Sequence, residues 1–163
     1  MGLFDIFHKK NEKNLKLNKY EFLKNTDIEM FHGINNEEIK TYAEDFFNTF
    51  GIEFPNDVKD FLNVTNGLYS GTGAHLYSIF NDEIKNKVNR STKSTMDIIG
   101  FNVNYRMITD VEEFIFLGND SLTFYAYEIE SKKYCMLTNG TLDKLHEYDT
   151  LESMIKDIFI NKV

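Results

Sequence analysis

A chain of 163 residues that is 42% hydrophobic, with 15 Phe, 9 Tyr and no Trp, has the apolar content for one domain with its own core, and this excludes an intrinsically disordered chain. Eighteen Lys and Arg against 26 Asp and Glu give a net charge of -8, which repels a phosphate backbone and argues against nucleic acid as a partner. A single cysteine, Cys135, excludes an internal disulfide and a Cys-rich metal cluster, and it suits a reducing cytosol.

The N-terminal residues lack the apolar run of a signal peptide, and Ile6 stands where a myristoylation pattern needs Ser or Thr. The chain therefore reads as soluble and cytoplasmic. Residues 1–25 hold six Lys against Asp5, Glu12 and Glu21, a basic segment on an otherwise acidic chain. Leu3, Phe4 and Phe7 share one helical face, so residues 1–34 read as a basic N-terminal arm or extra helix, docked on the domain or resting on an anionic surface. Residues 35–163 read as the domain proper.

From Asn36, Ile39, Ala43, Phe46 and Phe50 recur at helical spacing up to Gly51, which predicts a core-facing helix. Pro55 and Asp57 open a second helix carrying Val58, Phe61 and Leu62 on one face, and Asn66-Gly67 stops it. Leu68-Tyr69 and His75 to Ile79 are short extended pieces around Ser70-Gly71-Thr72-Gly73. The uncharged stretch Phe61 to Asn81 is too rich in Asn, Gly, Ser and Thr to span a membrane. Residues 81–95 are polar and Lys/Asn-rich and predict a loop, and Met96 to Met107 predicts a short helix. Glu113 to Leu117, Leu122 to Ile129, Lys133 to Thr138 and Thr141 to Tyr148 are four β-rich runs separated by turns, an antiparallel meander. A closing helix starts after Asp149, read as its N-cap, with Leu151, Met154, Ile155, Ile158 and Phe159 inward.

The sequence has no nucleophile elbow, phosphate loop, dinucleotide fingerprint or H-E-x-x-H pair. His8, His32, His75 and His146 are scattered without ligand spacing, and Cys135 between Tyr134 and Met136 reads as a buried, inert thiol. No catalytic residue, metal or cofactor is therefore expected. What remains is an interaction surface for a protein partner. Asp110, Glu112 and Glu113 precede the first meander strand, with Asp120, Glu128 and Glu130 as extensions of the cluster, and they suit a basic partner. Tyr69, Tyr125 and Tyr127 combine apolar area with a polar tip and complete the predicted contact set.

Three stretches carry a likeness to a known family: Phe54-Pro55-Asn56-Asp57-Val58 through Asn66-Gly67 and on to Gly73-Ala74-His75-Leu76-Tyr77; Phe114-Ile115-Phe116-Leu117-Gly118-Asn119-Asp120-Ser121 before Phe124-Tyr125-Ala126-Tyr127; and Asp149-Thr150-Leu151-Glu152-Ser153-Met154-Ile155. In this order they resemble the SUKH superfamily, which joins bacterial immunity proteins to fungal regulators of cell-wall synthesis. The resemblance implies an α+β domain, a central mainly antiparallel sheet with helices packed against it, and no enzymatic activity. It also implies an immunity-type protein that neutralises a cognate toxin domain, often a nuclease or deaminase. A regulatory scaffold related to the fungal members is the alternative.

Overall fold

The computed structural model describes residues 19–79 and 97–161. The amphipathic segment Leu3 to Lys10, His8 and the polar stretch 81–95 lie outside the described residues. Seven strands form one antiparallel sheet in chain order: β1 (Ile28–Met30), β2 (Leu68–Ser70), β3 (His75–Leu76), β4 (Phe114–Asn119), β5 (Thr123–Glu128), β6 (Lys133–Thr138) and β7 (Lys144–Tyr148). Among the described residues four α-helices accompany it: α1 (Asn36–Phe50), α2 (Asn56–Val64), α3 (Ile98–Arg106) and α4 (Leu151–Lys156), the last continuing into a π-helical turn over Asp157–Asn161. The fold is α+β, a meander with helices packed against it.

Local chemistry sets the helix ends. The Asn35 carboxamide accepts from the amides of Glu37 and Glu38, and Gly51 closes α1 in the left-handed region at φ 72°. The closing helix is capped one residue later than the sequence suggests: Thr150, not Asp149, accepts from Ser153 N, while Asp149 faces Lys133. The sheet is covered on both faces. Phe116 and Phe124 project towards α3, with Phe101 and Tyr105 of that helix 4.7 to 6.0 Å away between ring centres. Alternation then sends Leu117 to the opposite face, where Leu76, Val58 and Phe61 of α2, and Leu151 of α4 meet it.

Two asparagine side chains and one glycine hold irregular backbone in this core. The buried Asn102 donates to the Phe116 carbonyl and accepts from the Phe116 amide, both at 2.8 Å, so it pairs with β4 as a neighbouring strand would. Asn66 treats Ile79 identically, with both bonds at 2.8 Å. At Gly118 a Cβ would stand 2.2 Å from the His75 carbonyl oxygen, so only glycine lets β3 approach β4 where the ladder shifts register.

The boundary expected between residues 34 and 35 falls inside the packed structure. Tyr20, Leu23, Phe31 and Ile34 are buried, Tyr20 packs edge-on against Phe61 at 5.5 Å, and β1 extends the sheet beyond β2. Residues 19–34 thus belong to the domain. Burial of Leu23, Phe31 and Ile34 is the physical reason, since each contributes about 1.5–3 kcal/mol when removed from water. Among the described residues no helix is long and apolar enough to cross a membrane.

Candidate protein-interaction surface

Among the described residues the most exposed apolar side chains stand at the end of α3. Asp97 caps this helix, accepting from Gly100 N at 2.6 Å and from the Tyr42 hydroxyl at 3.0 Å, while that hydroxyl accepts from Ile99 N. Phe101 and Tyr105 face the sheet, which leaves Val103 and Met107, four residues apart, on the outer side. Met107 is 80% exposed and Ile108 is 82% exposed. They are held rather than trailing: the amides of Ile108 and Thr109 both donate to the Tyr105 carbonyl at 3.0 Å, and the Thr109 hydroxyl joins them at 2.9 Å. Arg106 fastens the next turn. Its Nη2 donates to the carbonyls of Glu112 and Phe114, and its guanidinium lies 4.8 Å above the Phe50 ring of α1.

Asp110, Glu112 and Glu113 line the loop that follows, all three exposed. Glu112 and Glu113 favour the charged Arg106 against the burial that lowers its pKa. Among the described residues none of the three carboxylates takes a hydrogen bond or ion pair from another side chain. The Ile129 amide donates to the Glu113 carbonyl at 2.9 Å, which brings exposed Glu130 to the same edge. Here a fixed apolar pair is rimmed by solvated negative charge.

Of the other predicted contact residues, Tyr127 is half-buried opposite Ile115, at this end of β4, with its ring 5.3 Å from Tyr134. Asp120 does not join the cluster. It follows β4, whereas Glu113 precedes it, which separates them by roughly 20 Å of extended chain. Its carboxylate accepts from Leu122 N, Thr123 N and the Tyr125 hydroxyl at 2.7 to 2.9 Å, so it organises the β4–β5 turn. Tyr69 lies at that same far end, 43% exposed, in the cross-strand row Glu29, Tyr69, His75 and Asn119. Tyr125 corrects the expectation outright: it is fully buried, paired with Met136 on the sheet, and offers nothing to a partner.

Glu128 is also taken up within the fold. Ser131 and then Lys144 hold its carboxylate below the usual range, and Lys144 reaches it at 2.9 Å and Glu147 at 3.2 Å. Cys135 is buried, 3.8 Å from the Ala126 carbonyl, and burial pushes its thiol up to about 12. Among the described residues no group of three or more His, Cys, Asp or Glu could hold a metal ion. Sequence reasoning missed Val103, Met107 and Ile108. The available signal was the apolar pair Met107-Ile108 at a predicted helix end, directly before an acidic loop. No family model matches the chain, and no curated protein matches it.

Proposed function

We propose that this protein is an immunity-type protein of the SUKH kind, which acts in the cytoplasm by binding a basic toxin domain and blocking it through protein–protein contact. The observation that carries the reading is the Met107–Ile108 pair, 80% and 82% exposed, held beside Asp110, Glu112 and Glu113. Such a pair offers apolar area to a pocket on the partner, and the carboxylates around it steer a cationic surface into register. A toxin domain that cleaves or modifies nucleic acid needs a basic surface to hold its substrate, so an acidic protein that docks there competes directly for it. The α+β architecture, a meander sheet with helices packed on it, is the fold class that the resemblance implies.

Co-expression tests this. The open reading frame beside the gene is expressed alone and together with this protein. Toxicity alone that is relieved by the intact chain, but not by Met107→Asp/Ile108→Asp, supports the proposal. Toxicity unchanged by the intact chain contradicts it.

A further inference from the structure

The tripeptide Thr-Asn-Gly occurs twice in this chain, as Thr65-Asn66-Gly67 after α2 and as Thr138-Asn139-Gly140 between β6 and β7. Identical local chemistry thus meets two different surroundings. Asn66 is fully buried, and its carboxamide donates to the Ile79 carbonyl and accepts from the Ile79 amide, both at 2.8 Å. Asn139 and Gly140 are both exposed. Their turn is closed by neighbouring groups: Asn139 N donates to the Leu122 carbonyl at 2.8 Å, Leu142 N donates to the Thr138 carbonyl at 3.1 Å, and the Thr138 and Thr141 hydroxyls meet at 2.6 Å. Among the described residues neither the Asn139 carboxamide nor the Gly140 amide takes part in a hydrogen bond. We propose that Asn139 is a site of spontaneous modification, where the carboxamide is converted into aspartate and isoaspartate, and that Asn66 is protected from the same reaction.

The reaction needs only water and hydroxide. Once hydroxide has taken the Gly140 amide proton, the nitrogen bonds to Asn139 Cγ and the Cγ–Nδ2 bond breaks. Ammonia leaves after taking a proton from water, which restores the hydroxide. Water then opens the five-membered imide at either carbonyl. Breaking the new bond to Cγ gives aspartate on the original backbone, whereas breaking the bond to the main-chain carbonyl carbon gives isoaspartate, with the backbone routed through the side chain. Gly140 suits the first step because it has no Cβ to crowd its nitrogen. The structure decides which copy reacts. Asn66 must first lose both bonds to Ile79 and leave the core, so it reacts only from opened states, whereas Asn139 needs movement within an exposed turn alone. The inference stands apart from the toxin-neutralising reading, because it involves neither Met107 and Ile108 nor the acidic loop after them.

The test is peptide mapping by mass spectrometry of the full chain aged in neutral and in mildly alkaline buffer, with isoaspartate scored by an isoaspartyl-specific methyltransferase. The folded protein is expected to convert residue 139 at least about tenfold faster than residue 66, and faster at the higher pH. In urea that unfolds the chain, the two tripeptides should convert at about equal rates, because the protection of Asn66 is then gone. Asn139→Gln, whose longer side chain would have to close a six-membered ring, should lose the isoaspartate signal from this turn and keep the melting temperature. Equal conversion of both copies in the folded protein, faster conversion at residue 66, or an unmodified residue 139 after the time in which the urea-unfolded chain has reacted would each overturn the proposal.

Discussion

The two ends of β4 place carboxylates beside exposed apolar side chains, yet they use them in opposite ways. Glu113, with Asp110 and Glu112, projects into solvent next to Met107 and Ile108 and stabilises no backbone with its carboxylate. Asp120 sits where amides two and three residues ahead turn back on its oxygens, and a buried tyrosine hydroxyl joins them. An acidic residue at a strand end thus serves the fold when the following turn aims donors at it, and is left in solvent when it does not. Charge alone does not separate the two cases.

Removing Asp120 should give the largest loss. Asp120→Ala leaves two turn amides and the Tyr125 hydroxyl without their acceptor and is expected to cost about 2–4 kcal/mol in urea melts. A cost below about 0.5 kcal/mol would erase the distinction between the two ends. Tyr125→Phe isolates one of those bonds while keeping the ring in the core, and about 1–2 kcal/mol should be lost with no change in partner binding. Weaker partner binding at unchanged stability would return Tyr125 to the surface set. At the other end, Met107→Ser/Ile108→Ser should change stability by no more than about 0.5 kcal/mol, because these side chains are already in water. A larger loss would show that the pair is packed and not presented.

The smallest effect is expected at His75, in the row beside Asp120. Burial lowers its pKa in the folded state, against the Gly73 carbonyl and Asp120, which raise it. The unfolded chain therefore binds the proton more readily, and the stability this contributes is present above the unfolded pKa of about 6.5 and lost as pH falls through it. Melts between pH 7.5 and 5.5 should show the native protein losing more stability than His75→Gln. Parallel curves would remove this coupling.

Much of the fold was legible in the sequence. The 3.6-residue spacing of Ile39, Phe46 and Phe50, the Pro55 start of α2, and the run Lys133–Thr138 each have one dominant local signal, and the elements formed there. β1 was not legible, since Ile28–Met30 is three residues long and becomes a strand only through its ladder to β2. Tyr125 was misread for a related reason. With α3 on one face and α2 and α4 on the other, Phe124, Tyr125 and Ala126 are all buried, and no alternation marks which residue faces out. Met107 and Ile108 were hidden because exposure at a helix end depends on where the next strand takes the chain, which residues 108–113 do not specify by themselves.

The most direct test of the central claim is the association rate of the toxin domain proposed as partner with this protein, measured by surface plasmon resonance at two salt concentrations. The native chain is expected to associate more slowly at the higher salt. Glu112→Lys/Glu113→Lys should lower the rate and flatten its salt dependence, while Met107→Ser/Ile108→Ser should act on dissociation. An association rate insensitive to salt and unaltered by the double charge reversal would contradict the acidic, apolar-centred surface proposed for this end of the sheet.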